Sequence, residues 1–227
     1  MSDEAVKPRR RYDNRGRTKQ AQATRGRVLA AARSVLTARG YAGTTMAAVA
    51  REAGVSVETI YKGFGSKRAL VSQLLGVALV GDDEPVTLAQ RPEARAVAAQ
   101  ADGAEMLRRY AGLVRELYDR LGTLPAILLV SARSGQTELE EFAAEMSSKR
   151  LADASMTLGQ FAATGQLRAD LAPDHARDLL WAFNSPELHH LLTVERGWSS
   201  QLYEQWLART LIAALCVPPS CQDRLAT

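Results

Sequence analysis

Cysteine, histidine, lysine and aromatic residues are all scarce in this chain of 227 residues. Only Cys216 and Cys221 are present, too few for a disulfide framework or a zinc site, so a reduced, cytoplasmic setting is expected. His175, His189 and His190 make no metal centre: the adjacent pair points about 100° apart on a helix, and His175 has only Asp174 and Asp178 near it. Aromatics at 6% leave the core to Ala, Leu and Val, which favours closely packed helices. No Ser-His-Asp order, glycine-rich phosphate loop or supported acidic pair is found, so no enzyme activity, metal or cofactor is expected. Long apolar runs are missing too. Stretches such as "LPAILLV" at 124–130 fall short of the ~20 residues that cross a membrane, and the N-terminus has no apolar core of a secretory signal. No membrane partner is expected.

The chain does have arginine, and it is unevenly placed. Residues 1–80 carry 15 Lys+Arg against 5 Asp+Glu, a net +10, while residues 81–227 carry the other 14 and 20, a net −6. Such a split sets one half against a polyanion. Nucleic acid is the first candidate and an anionic membrane surface the second. Residues 1–22, "MSDEAVKPRRRYDNRGRTKQAQ", have almost no apolar content and are expected to form a flexible basic arm.

Helical periodicity begins near Thr24, with Val28, Leu29, Ala32, Val35 and Leu36 on one face, and Gly40 as its left-handed stop. Thr45 and Ser56 are N-caps of two short helices separated by Gly54, and Ser66 caps a fourth running to about Val80. Composition changes at "GDDEP", 81–85, which marks the domain boundary: 23–80 before it and 81–227 after. A loose segment to about Gly103 is expected next, then further helices, with "TLPAILLVSARS" buried on every side and Ser185–Pro186 restarting a kinked helix. The fold class expected is all-α, with about nine helices and no repeat.

Helix, glycine-containing turn, short helix is the helix-turn-helix order, whose second helix enters the major groove of double-stranded DNA. Val55, Ile60 and Phe64 supply its small core, leaving Val57, Glu58, Thr59, Tyr61 and Lys62 outside. Lys62 can donate to guanine, Glu58 can accept from cytosine N4, and Val57 or the Thr59 methyl can touch a thymine methyl. An A-form RNA groove is too narrow for such a helix, and the helix has too few apolar residues for a membrane surface. Arg9, Arg10, Arg11, Arg15 and Arg17 precede helix one and are expected to reach an adjacent minor groove.

The run "RGYAGTTMAAVAREAGVSVETIYKGFGSKRAL", with "RGRVLAAA" before it, resembles the N-terminal domain of the TetR family of bacterial transcriptional repressors. The resemblance spans roughly residues 24–75 and departs at Gly63, where many members carry an aromatic or basic residue. It implies Thr45, Tyr61 and Lys67 at phosphates, with Val57, Glu58, Thr59 and Lys62 over base edges. The stretch "WAFNSPELHHLLTVERGWSSQLYEQWLARTLIAAL" is similar to the last two helices of a family subgroup, which implies a homodimer through that pair. Trp181, Phe183, Trp198, Tyr203 and Trp206 there read as core or subunit interface. The function implied is repression from a palindromic operator, released by a small-molecule effector. Met106, Tyr110, Leu113, Leu128, Phe142, Met146, Met156 and Trp181 are the expected effector-pocket residues. The rival reading is a helical ligand- or partner-binding regulator whose DNA binding no ligand controls.

Overall fold

Glycines and hydroxyl caps cut the first half of the chain into helices. The computed structural model describes residues 14–82, 84, 86–132 and 137–217, and α-helices dominate them. Helix α1 spans Asn14–Gly43, α2 Met46–Ala53, α3 Val57–Phe64 and α4 Lys67–Val80. Thr45, Ser56 and Ser66 each accept a backbone N–H of the following first turn, as their spacing predicts. Gly40 breaks α1 with φ 66° and ψ −179°, a positive-φ conformation open essentially to glycine but outside the left-handed helical well, and one more turn follows it. Val28, Ala32, Leu36, Val49, Ile60 and Leu70 are buried where these helices meet. Ile60, at 0% exposure, contributes about 1.5–3 kcal/mol by burial alone.

Two expectations fail in this half. Helix α1 starts at Asn14, so residues 14–22, Arg15 and Arg17 among them, are helical rather than part of an arm. Thr18 to Ala23 are exposed, so no apolar stripe announces them. Arg, Lys, Gln and Ala are good helix formers, and a helix already nucleated extends through them. Beyond Gly81 the segment expected to be loose holds a 3₁₀ turn, Leu88–Gln90, and helix α5, Pro92–Ala98. Proline in its first turn starts α5, and Val97 alone anchors it, a signal too short for periodicity.

The second half is built around α6, Gly103–Leu121. Its Met106, Leu107, Tyr110, Ala111 and Val114 are buried against α8, Thr137–Ala162, and α11, Ser200–Leu215. Helix α7, Leu124–Ala132, buries Leu124 and Leu128, but Pro125 and Ala126 are only half-buried, so its apolar sequence does not mean enclosure on every side. Helices α9, Pro173–Phe183, and α10, Pro186–His190, are divided at Ser185, which caps α10 by accepting from Leu188 N–H at 3.1 Å. A π-helical turn, Leu191–Glu195, follows and was not foreseeable from residue pattern. Eleven α-helices thus stand among the described residues where about nine are expected. One antiparallel bridge, Leu167 to Cys216, ties the end of α8 to the end of α11.

Arginines join the halves. Arg33 on α1 donates to the carbonyls of Arg120 at 2.7 Å and Leu121 at 3.2 Å, where α6 ends. Arg120 in turn donates to the Leu79 carbonyl at 3.2 Å, near the end of α4. Arg68 on α4 pairs with Glu141 and Glu145 of α8 at 3.2 and 3.1 Å.

Candidate nucleic-acid interface

The turn between α2 and α3 is closed by backbone chemistry. Gly54 adopts φ 65° and ψ 39°, where an L side chain is strained. Its N–H reaches the Arg51 carbonyl at 3.3 Å while Val55 N–H reaches Ala50 at 3.1 Å, a Schellman cap on α2. Ser56 then starts α3, accepting from Thr59 N–H at 3.1 Å and sharing a 2.8 Å hydrogen bond with the Thr59 hydroxyl. Thr45 does the same for α2, accepting from Ala48 N–H at 3.0 Å. Beneath the turn Thr44 is buried, donating to the Gly40 carbonyl at 2.7 Å.

Ile60 and Phe64, one turn apart, seat α3 on the domain. Arg25 of α1 lies 5.2 Å from the Phe64 ring centre and donates to Gln73 of α4 at 2.6 Å, so α3 is held from two sides. The opposite face is bare: Val57 is 39% and Tyr61 53% exposed, with Glu58, Thr59, Lys62 and Gly63 also exposed. An added Cβ at Gly63 would meet nothing within 4 Å, so that position is open space rather than a packing need. An exposed Tyr and Val on a short, doubly capped helix leave a rigid mixed surface at the positive end of a helix dipole.

Residues 28–74, which contain this whole arrangement, match the sequence profile of the bacterial regulatory proteins of the tetR family. The chain carries an N-terminal DNA-binding domain of the TetR type over those residues. It is a DNA-binding transcriptional regulator, and its shape agrees across nearly the full length of several solved relatives. FadR from Bacillus subtilis, solved with stearoyl-CoA, superposes with a TM-score of 0.66 at 17% identity, covering 83% of this chain and 97% of that one. NalD, the secondary repressor of the MexAB-OprM multidrug efflux pump in Pseudomonas aeruginosa, gives 0.62 at 18%, covering 88% and 100%. SmeT in its triclosan complex gives 0.64 at 19%, covering 87% and 93%. At such identities the likeness is one of fold. No curated protein matches the regulator in sequence.

The structure brings Thr45, Val57, Glu58, Thr59, Tyr61 and Lys62 onto the outer side of the helix-turn-helix. It sets Lys67 apart: the ammonium is half-buried, donates to the Tyr41 carbonyl at 3.1 Å and lies 4.1 Å from the Tyr41 ring centre. Arg9, Arg10 and Arg11 lie outside the described residues, as do the side chains of Arg15 and Arg17. The +10 of residues 1–80 overstates the charge turned outward, because Arg25, Arg33, Lys67 and Arg68 hold protein partners. Those bridging arginines went unread in the sequence, since a basic residue in a basic domain carries no mark of which way it faces.

In the C-terminal domain the expected pocket residues scatter. Met106, Tyr110, Leu128 and Phe142 are buried in the packed core, Leu113, Met146 and Trp181 are half-buried, and Met156 is 52% exposed on α8. Met156 therefore stands outside any enclosure shared with the others. A cleft of 240 Å³ opens elsewhere, lined by Tyr118, Asp119, Thr123, Pro186, His189 and Val194 among others. Its His189 stacks on Tyr118 at 4.2 Å between ring centres, and burial pushes the imidazole down to about 4, so it is neutral at pH 7. The aromatic residues of the last helices form a contiguous set, with Trp206 within 6.3 Å of Phe183, 6.1 Å of Trp198 and 5.9 Å of Tyr203, centre to centre.

Proposed function

We propose that the regulator is a homodimeric repressor that binds a palindromic operator and leaves it when a small-molecule effector occupies the C-terminal domain. The observation that carries this reading is α3: Ile60 and Phe64 fix it from within while Val57, Glu58, Tyr61 and Lys62 face out. In this reading Thr45 and Tyr61 meet phosphates, and Val57, Glu58, Thr59 and Lys62 lie over base edges. The capping hydroxyl of Thr45 accepts from the backbone, which leaves its proton to donate to a phosphate. Arg9, Arg10 and Arg11 extend the contact toward the minor groove, with Arg15 and Arg17 following on α1. Reading helices of a two-fold dimer meet successive major grooves about 34 Å apart. With DNA as the partner, the site of action is the cytoplasm.

The dimer forms through α9, α10 and α11. Leu202 is 41% exposed and Phe183 and Trp206 only half-buried, apolar surface that a second copy would cover. For an effector, support comes from the relatives solved with stearoyl-CoA and triclosan. Arg33, Arg68 and Arg120 supply a rigid link by which a shift in α6 or α8 reorients α1 and α4. An effector acts only through its differential affinity for the two arrangements.

Selection of sheared genomic DNA by the purified regulator at about 150 mM salt tests the first half, since nonspecific binding is weak there. Enrichment of a palindrome is expected, and uniform, salt-sensitive retention would refute it. Operator and effector must also weaken each other's binding by the same factor. Equal effector affinity with and without operator would refute the release mechanism.

A further inference from the structure

Arg150 is set into the C-terminal domain with no carboxylate paired to it among the described residues. From α8 one terminal nitrogen donates to the carbonyls of Trp181 at 2.6 Å and Asn184 at 2.7 Å, and the guanidinium lies 5.3 Å from the Trp181 ring centre. Those carbonyls end α9, where a cation is favoured, so capping accounts for that nitrogen. It does not account for Nε, which is buried and has no hydrogen-bond partner. A second orphan stands nearby. The Tyr203 hydroxyl of α11 is unpartnered on a residue with 0% exposure.

Both orphans belong to one cluster. Asn184 donates to the Tyr110 hydroxyl at 2.9 Å, Tyr118 donates to the Asn184 carbonyl at 3.1 Å, and His189 lies edge-on to Tyr203 at 4.8 Å. The positive field of Arg150 reaches Tyr110, Tyr118 and Tyr203, opposing the rise in their pKa that burial causes. Buried polar groups are ordinarily satisfied, and here the two that are not are both donors, one of them on a cation. An oxyanion is the group that accepts from donors of both kinds. The rings around them suit a flat apolar body.

We propose that this cluster is the effector subsite and that the effector is an aromatic carboxylate, its carboxylate received by Arg150 and Tyr203 and its ring placed among Tyr118, His189 and Trp181. This rests on the reading that the C-terminal domain takes an effector. Tyr118 and His189 line the 240 Å³ cleft as well as the cluster, so the cleft borders the proposed subsite. The imidazole is neutral, so Arg150 supplies the positive charge, against the Asp119 carboxylate in the cleft and Asp153, whose charge acts on Tyr110.

Calorimetric titration of the full-length protein with 2-naphthoate and with its neutral amide, 2-naphthamide, tests this. The acid is expected to bind at least about tenfold tighter than the amide, as a charge-assisted pair requires. Arg150→Gln should bring the two within about twofold. Tyr203→Phe should weaken the acid about three- to tenfold and leave the amide unchanged. Because it removes an oxygen that has no partner, it should not lower the melting temperature, which keeps the test valid even if the Arg150 variant fails to fold. Equal affinities for acid and amide, or no binding of the acid up to about 10 mM, would overturn the proposal. Operator binding measured without naphthoate separates the two readings: intact DNA binding with no acid preference sinks the subsite alone, whereas absent DNA binding sinks the repressor.

Discussion

Replacing Glu58 by Gln gives an effect whose sign depends on what the carboxylate faces. Glu58 is exposed, the second residue of α3, one turn before Lys62, and has no ion pair among the described residues. If it accepts from cytosine N4, E58Q loses a base contact worth about 1–3 kcal/mol per half-site, or about 2–6 kcal/mol on a symmetric operator held by both protomers. The competing effect is removal of a negative charge near phosphates. At about 8 Å in water that repulsion is roughly 0.5 kcal/mol, and at 0.15 M salt screening reduces it further. The base contact therefore wins by a wide margin where it exists. Loss of a favourable charge at the α3 N-terminus costs about 0.3–1 kcal/mol of stability, too little to unfold a domain. Fluorescence anisotropy with the selected operator, and with a duplex in which the contacted C·G pair is inverted, reads the outcome. E58Q should bind the operator at least about tenfold more weakly and discriminate less between the two duplexes. Equal tightening on both would show that Glu58 faces only phosphates, and the assignment of α3 to base edges would fall at that position.

Three further results are expected. Gly103→Ala places a Cβ 2.7 Å from Phe161, 2.8 Å from the Thr164 hydroxyl and 2.9 Å from Gln166, so overpacking should cost about 1–3 kcal/mol. The melting temperature should fall by about 2–4 °C per kcal/mol, and an unchanged one would show that the end of α8 yields freely. Deleting residues 1–17 removes Arg9, Arg10, Arg11, Arg15 and Arg17, and the slope of log affinity against log salt should drop by roughly four to five per protomer; an unchanged slope would take these arginines out of the interface. His189 has its pKa lowered from 6.5 to about 4, so between those values the unfolded chain binds more protons and stability falls as pH drops. His189→Phe keeps a ring on Tyr118 and should flatten denaturation midpoints measured across that window; an identical pH slope in the variant would assign the titration elsewhere.

The helix-turn-helix was legible because its determinants are local. Thr45, Ser56 and Ser66 cap within three residues, and Gly54 takes the one backbone conformation that closes the turn. Ile60 and Phe64 repeat at helical spacing, so the outward set followed by subtraction. The extension of α1 to Asn14 and helix α5 were missed because neither carries an apolar stripe, and periodicity detects burial rather than helicity. Met156, Phe142 and Tyr110 could not be sorted into surface, core and polar cluster, because an apolar residue on a helix has the same signature whether it meets a neighbour, a cavity or water.

Sequence by itself determined what depends on a few consecutive residues: an all-helical chain, where α2 and α3 begin, and which side chains α3 turns outward. Tertiary structure decided what depends on pairs far apart in the chain. It made Arg33 and Arg68, two of the charges behind the basic excess of the first half, into ties between the two halves, because α6 and α8 end or pass within reach of them. It also gathered Arg150, Asn184, Tyr110 and Tyr203 from separate helices into one buried polar cluster. Caps and glycines act through the nearest few bonds, whereas a guanidinium's partner is set by how helices pack, and that is fixed only when the whole core closes.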